Sequence, residues 1–574
     1  MHDIVIRNAT IFDGTGAERF EGALGIDDGI ITSLDASGAR GRDEFDAAGC
    51  IVTPGFVDPH THYDGQAMWD PHLAPSVWHG VTTVVMGNCG VGFAPAARDR
   101  HEWLIGLMEG VEDIPGAALA DGLRWNWETF PEYLDALSGT SRAIDVVAQV
   151  AHGAVRGYVM GERGAANEDP TANDIAQMAR IVGDGVAAGA LGFSTSRLPG
   201  HRAIDGRVVP GTYAHEDELT AIAQAMARRS GGRAVFEMVT GTAAASSTLE
   251  HWRAELAWMA RLSRDTGTPV LFGFGGPDTW AELIGTIDEA NATGARLVPQ
   301  ISCRPVGSLL GLQAKHPFQG RASYEEIAHL PLAARVAAMR ETERRTAILA
   351  ERSTRRDVAL PYDVTTLLDL VYPMGPELDY EPPASRSIAA QAAARRIDPI
   401  GLLYDQLLAD DGRAMVMFAL GNYRFANLDH SYELMRRNDT VVGLGDGGAH
   451  VTFICDAGYP TFMLSHWARD RSRGPRLPLE LVVRKLTSEP ARVYGLGDRG
   501  VLALGRRADL NIIDADRVTL TAPYVANDLP TGAPRLLQRA QGYRATFVAG
   551  TCIQRDGEDT GARPGQLVRG HRGA

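Results

Sequence analysis

The sequence predicts an α/β protein, a (β/α)8 TIM-like barrel joined to a small β-sandwich built from both chain ends. Three observations predict it. Eight short β-branched runs alternate with longer Ala/Leu/Arg-rich helical stretches, the texture of parallel strands joined by crossover helices. Closely spaced short strands with turn residues open the chain, and the same texture returns after about residue 497. The 574 residues, 45% of them hydrophobic and 22% charged, suffice for a large barrel with additions and exclude a disordered or fibrous chain.

The opening strands are expected at Ile4–Ile6, Ala9–Phe12, Gly22–Ile26, Ile30–Leu34 and Ile51-Val52, with counterparts at Gly500–Leu502, Asp509–Ile513 and Ala545–Val548. A sheet made from both sets brackets the middle, giving sandwich segments at 1–54 and 491–574 around a barrel at 55–490. The barrel strands are expected at Gly55–Asp58, Thr82–Met86, Asp145–Val150, Ala190–Ser194, Ala234–Met238, Pro269–Phe272, Arg296–Ile301 and Val441–Gly445. The seventh and eighth lie too far apart for a bare loop. Residues of about 305–411, including the Pro/Tyr/Asp-rich stretch 361–383, are therefore expected to form a lid or substrate-facing insertion. The polar Gly/Arg-rich ending Arg563–Ala574 reads as a loose tail or as an interface arm of a homo-oligomer.

A balance of 56 basic against 71 acidic residues gives a net charge of −15, which repels phosphate backbones and anionic lipid surfaces. A small-molecule substrate is favoured, with no nucleic acid and no membrane as partner. The N-terminus Met1-His2-Asp3-Ile4 lacks the basic and apolar regions of an export signal, and no apolar run is long enough to span a bilayer. The five scattered cysteines show no paired spacing and read as reduced thiols of a cytoplasmic protein, which leaves Cys89 free for chemistry. Lys315 and Lys485 are the only lysines.

Chemistry on such a barrel sits at the C-terminal ends of the strands. The first strand runs into Asp58-Pro59-His60-Thr61-His62, and the two-residue repeat puts both imidazoles on one side of an extended segment, where they can chelate a divalent metal. A lone His-x-His is otherwise ordinary surface chemistry.

The stretch Val52–His62 resembles the opening signature of the amidohydrolase superfamily. Gly87-Asn88-Cys89-Gly90 and Gly189–Thr195 look like its N-acyl-D-amino-acid deacylase (D-aminoacylase) branch. Leu486–Ala491, Gly500–Leu502 and Ala508–Leu510 are similar to the superfamily's ending. The resemblance implies one or two zinc ions and hydrolysis of a linear amide, here the deacylation of an N-acyl-D-amino acid or related N-acyl compound.

The resemblance also implies roles for particular residues. The strand-four lysine that bridges two metals in many relatives is missing. Cys89 matches the cysteine that ligates zinc after strand two; read alone it is also a small buried hydrophobe. Asp446, in Gly443–His450 after strand eight, matches the aspartate that approaches the metal and acts as general base and acid; among glycines it is also a turn former. D-aminoacylases carry further histidine ligands after strands five and six, where this chain has Glu237 and Phe274. A carboxylate can replace imidazole on zinc and a phenyl ring cannot, so Glu237 joins His60, His62, Cys89 and Asp446 as expected ligands; otherwise it is a buried acid in need of a partner. His152, after strand three, is a catalytic candidate that could bond the substrate carbonyl, or else a satisfied core histidine. The family's arginine for the substrate carboxylate is missing after strand eight. Arg304 and His450 are the substrate-binding candidates in its place, Arg304 also reading as a surface arginine of the insertion. His72, His79, His215 and His466 are read as structural. Two rival readings remain: a cyclic-amide hydrolase of the dihydropyrimidinase type, disfavoured by the missing lysine, and a catalytically silent scaffold, disfavoured by the joint presence of His60, His62, Cys89 and Asp446.

Overall fold

Eight parallel strands follow one another around a single sheet in sequence order. They are β1 (Phe56–Asp58), β2 (Val81–Met86), β3 (Asp145–Ala151), β4 (Gly192–Ser196), β5 (Val235–Val239), β6 (Val270–Gly273), β7 (Leu297–Ile301) and β8 (Val441–Val442). The computed structural model describes residues 1–243, 247–275, 279–354, 362–375 and 377–570. Strands β2 and β3 are buried along their whole length, as strands sandwiched between a packed interior and outer helices must be. The ring closes beyond the strands themselves, where Thr61 bridges Gly447 in parallel and the His62 N–H donates to the Gly447 carbonyl at 2.8 Å.

All eight expected strands form, but β8 is shorter than expected. Leu444 and Asp446 have φ of 61° and 47°, left-handed values that end an extended run, so the chain leaves the sheet after Val442 and reaches the mouth as a loop.

The interior is closed from below. Val57, Val85, Val147, Leu191, Val235, Leu271 and Val441 point inward and pack on Ala491, Val493, Tyr494 and Leu496. The chain's ending docks here as well, which corrects the expectation of a loose tail: Gln566 N–H donates to Asp145 Oδ1 at 2.7 Å, Leu567 bridges Val146, and Gly570 N–H donates to the Gly189 carbonyl at 2.8 Å. Residues 571–574 of that expected tail lie outside the described ones.

Strands from both ends of the chain share one nine-stranded sheet, in which Ile51–Pro54 pairs antiparallel with Leu510–Ile513. Its apolar side gathers Ile6, Ile11, Leu24, Val52, Leu510 and Phe547. Gly500–Leu502 does not extend as a strand; the chain turns there to set Arg499 under the barrel. The Arg499 guanidinium pairs with Asp145 and Asp498 and donates to Thr83 Oγ1 at 3.0 Å, while Arg507 bridges Asp145 and Asp509 at 3.1 and 3.0 Å.

Between β7 and β8 the insertion folds over the barrel mouth. Val306–Gly311, Val371–Met374 and Met415–Gly421 form an antiparallel three-stranded sheet, so the inserted unit continues past residue 411. It has its own core of Leu310, Phe318, Met339, Leu403, Tyr404 and Phe418. Residues 355–361 and 376 of the expected insertion lie outside the described ones. Among the described residues no helix is long and apolar enough to cross a membrane, and all five cysteines are free.

Arg499 and Arg507 together neutralise buried Asp145 and Asp509 from below. Removing one member of a buried charge cluster costs about 3–5 kcal/mol, and Arg499→Ala is expected to lower stability by that order, read as a lower midpoint of thermal unfolding. An unchanged midpoint would mean that Arg507 alone balances both carboxylates.

Candidate metal centre

The first two donors come from the segment after β1. Asp58 Oδ1 accepts the His60 N–H at 3.1 Å and so fixes the turn out of the strand. The His60 ring then sets Nδ1 3.0 Å from Gln300 Oε1 on β7, an acceptor that keeps the proton on Nδ1 and leaves the Nε2 lone pair free. His62 Nδ1 lies 3.3 Å from Glu112 Oε1, an electrostatic pairing without good hydrogen-bond alignment, with the same effect on its Nε2. Both rings are buried.

The third donor sits on the turn after β2. Gly87 and Gly90 have φ of 82° and 72°, and a Cβ on Gly87 would lie 2.4 Å from the Gln149 carbonyl, so only glycine fits there. Asn88 knits the turn to its surroundings, donating to the Thr61 and Val85 carbonyls and accepting from Gln149 Nε2. Cys89, at a φ of 56°, is thereby pushed into the mouth with Sγ 3.3 Å from His60 Nε2 and 3.9 Å from His62 Nε2. Asp446, expected among the ligands, stands beside these three rather than within their close group, its Oδ1 3.4 Å from His60 Nε2 and 3.7 Å from His62 Nε2.

The ligand atoms of His60, His62 and Cys89 suit three positions around a tetrahedral cation. Zinc–nitrogen bonds of about 2.0 Å and a zinc–sulfur bond of about 2.3 Å imply donor–donor edges of roughly 3.3–3.6 Å, and Cys89 Sγ stands 3.3 and 3.9 Å from the two imidazole nitrogens. Among the described residues, the ligand atoms of His60, His62 and Cys89 lie within 4.8 Å of one another. The electrostatics are mixed, since burial and the nearby carboxylates push the Cys89 thiol up. Burial pulls His60 down to about 4, so its ring is neutral. Burial raises Asp446, but His62 and His60 more than offset it and hold the carboxyl ionised. Burial works against a charged His62, yet Glu112 and Asp446 raise it to about 9.

The remaining expected residues divide. Glu237 stands beside the centre rather than in it: Oε2 accepts the Cys89 N–H at 3.1 Å, and Oε1 lies 3.9 Å from Nδ1 of His60, the nitrogen turned away from the other donors. This corrects its place among the ligands, and burial, which raises its carboxyl to about 8, suits a supporting role. His152 is corrected too. Its Nδ1 is 2.8 Å from Thr195 Oγ1 and its Nε2 2.9 Å from Glu218 Oε1, so both nitrogens are engaged in buried packing at the start of helix His152–Met160, away from the cavity lining. Arg304 is neither at the surface nor at the cavity wall. It is buried, pairs with Asp456, donates to the Cys455 carbonyl at 2.7 Å and stacks its guanidinium 4.3 Å from the Tyr380 ring centre. Its Nη2 makes both bonds while Nε and Nη1 have no hydrogen-bond partner, and its burial away from the cavity lining keeps it from a substrate there. His450 does line the cavity, with Nε2 3.4 Å from Glu112 Oε2.

Three residues went unread in the sequence. Glu112 ends the helix His101–Glu112 and touches both His62 and His450. Gln300 orients His60. His201 lines the cavity from the loop after β4, its Nδ1 3.0 Å from Ser196 Oγ. The donors open into a cavity of about 1190 Å³ between the barrel mouth and the insertion.

The family model described as the amidohydrolase family matches residues 43–554. The chain is 28% identical to an N-acyl-D-aspartate deacylase of Alcaligenes xylosoxydans xylosoxydans over 99% of its own length and 95% of that protein's. A solved D-aminoacylase structure, described for the functional role of its binuclear metal centre, superposes with a TM-score of 0.64 at 22% identity, covering 99% of this chain and 100% of that one. An N-acyl-D-glutamate deacylase of Bordetella bronchiseptica, solved with zinc and a phosphonate inhibitor, does so with a TM-score of 0.61 at 24% identity, covering 99% of both chains. These structures share the fold.

Glu112 carries the support of His62. Losing such an outer partner typically weakens metal affinity about 10–100-fold, and Glu112→Gln is expected to do so in competition with a chromogenic chelator. Unchanged zinc affinity would strip Glu112 of that role.

Proposed function

This chain belongs to the amidohydrolase family, and we propose that it hydrolyses an amide with a divalent metal, zinc in the first instance, held by His60, His62 and Cys89, with Asp446 beside it. The observation that carries this reading is the convergence of one thiol and two imidazoles whose ligand atoms lie within 4.8 Å of one another, with one carboxylate oxygen 3.4 and 3.7 Å from the two imidazoles. Two imidazoles, a thiolate and a carboxylate suit zinc, and their net negative charge is the complement of a divalent ion. A zinc ion held there supplies Lewis acidity, which acidifies water and polarises a carbonyl.

The chain's own residues do the rest. Asp446 keeps its ionised carboxylate at the wall of the cavity, beside His60 and His62, where it takes the proton of the attacking water. The water oxygen bonds to the amide carbon, the C–N bond breaks, and the proton passes from Asp446 to the leaving nitrogen. His450, held neutral by burial, lines the same cavity and offers a hydrogen-bonding group to the polar end of the substrate. Glu237 holds the Cys89 turn by its backbone, and Gln300 and Glu112 hold the imidazoles, so the donors are set before substrate arrives. Support for an N-acyl-D-amino acid as substrate comes from relatives of nearly the same length that bear that activity in their names.

Three tests follow the three parts of this reading. Asp446→Asn is expected to retain zinc on the other donors while kcat/KM falls about 10²–10⁴-fold, the usual contribution of a general base; full activity in that variant would remove Asp446 from the mechanism. Dialysis against a chelator is expected to abolish hydrolysis and added zinc to restore it. A panel of matched N-acyl-D and N-acyl-L amino acids is expected to show turnover of the D series, and preference for the L series would overturn the stereochemical part.

A further inference from the structure

The cavity that holds the donors continues into a wall of apolar side chains that the hydrolytic step does not use. Trp252 and Phe274 meet edge to face with ring centroids 5.5 Å apart, both buried. Trp280 and Leu249 carry the wall along the segments after β5 and β6. It then climbs to the insertion, where Val306, Leu420, Phe425 and Tyr362 line the same cavity while remaining 36%, 37%, 65% and 43% exposed. Large apolar side chains gathered at one rim mark a place where another apolar surface docks. Their continuity with the donor cluster makes the substrate itself the occupant. The volume of about 1190 Å³ exceeds the roughly 300–1,000 Å³ of common small-ligand sites, so a short acetylated amino acid at the metal end leaves the rim bare.

Resting on the hydrolytic reading above, we infer that the substrate is an amide bearing a bulky apolar group, which lies along Trp252, Phe274 and Phe425 while its carbonyl sits among His60, His62, Cys89 and Asp446. The chemistry of the wall is met equally by a medium or long acyl chain and by a large aromatic or aliphatic group on the amine side. Hydrolysis adds water across the C–N bond and releases a carboxylic acid and an amine, one of them carrying the apolar group.

Two substrate series on the zinc-loaded protein distinguish these sources. In the first, a single D-amino acid carries acetyl, butyryl, hexanoyl and octanoyl groups; in the second, the acyl group stays acetyl and the amine side grows from alanine to phenylalanine and naphthylalanine. We expect kcat/KM to rise in at least one series, by up to about fourfold per methylene buried in the acyl series, and the octanoyl-to-acetyl or naphthylalanine-to-alanine ratio to fall in Phe425→Ala, whose exposed position spares the fold. Flat or falling values in both series, with the acetyl compounds still hydrolysed, overturn the apolar site and leave the hydrolytic reading standing. Binding is read separately in the Asp446→Asn protein, from the change in tryptophan fluorescence on titration with N-octanoyl-D-leucine and N-acetyl-D-naphthylalanine. Saturable binding by a protein whose wild type hydrolyses no amide upholds the apolar site and overturns the hydrolytic reading, whereas binding of neither compound overturns the apolar site.

Discussion

The site depends on how the barrel closes. β8 is only two residues long, so the last seam of the ring is made by loop backbone, with Thr61 bridging Gly447 and the His62 N–H held by the Gly447 carbonyl. That seam joins the segment carrying both imidazoles to the segment carrying Asp446. The glycines around Asp446 permit the approach: a Cβ on Gly448 would lie 2.9 Å from the His62 carbonyl, and one on Gly447 would lie 2.7 Å from Ser76 Oγ. A second latch acts from outside, where the His450 N–H donates to the Glu112 carbonyl and so fixes the far end of the same loop to the helix that supports His62. Closing the ring and assembling the donors are one event.

Several acids are buried around this seam. Asp58, Asp64, Glu112 and Glu237 are all nearly inaccessible, and burial raises them to about 8, 6, 7 and 8 respectively. Isolated carboxylates in such a place cost several kcal/mol each, to order of magnitude. Hydrogen bonds offset part of the cost: Asp58 accepts the His60 N–H, Asp64 the Gly87 N–H, and Glu237 the Cys89 N–H. Each bond thus fixes the backbone of a donor segment, and the acids serve geometry and charge together.

Much of this was legible in the sequence because its signals are local. Eight β-branched runs mark the strands, and His60, His62, Cys89 and Asp446 stand in short motifs whose neighbours in the chain are also their neighbours in space. Residues whose meaning depends on distant partners were not legible. Arg304 reads as a free cation until Asp456, which follows β8, comes back to meet it. His152 reads as a mouth residue until Glu218, on the helix Glu216–Ser230, takes its Nε2. Glu112 gave no signal at all, because an acid in an amphipathic helix is ordinarily a solvent contact, whereas here the helix end is pressed against the barrel mouth. The short β8 was hidden for a different reason: left-handed φ at Leu444 and Asp446 is not encoded by glycine at those two positions but imposed by their surroundings.

The departures at β5 and β6 have a common physical consequence. Where the resembled deacylases place two imidazoles, this chain places Glu237 and Phe274. The carboxylate turns to the Cys89 backbone, and the phenyl ring turns to Trp252. The ligand atoms of His60, His62 and Cys89 gather on the β1 and β2 side of the mouth, with Asp446 beside them. Phe274 adds no donor to the β6 flank, so a cation held there would face polar groups on one side and the Trp252–Phe274 pair on the other. A substrate bound between the two presents its amide to the first and its hydrocarbon to the second, which orients the carbonyl by the hydrophobic effect as much as by hydrogen bonds.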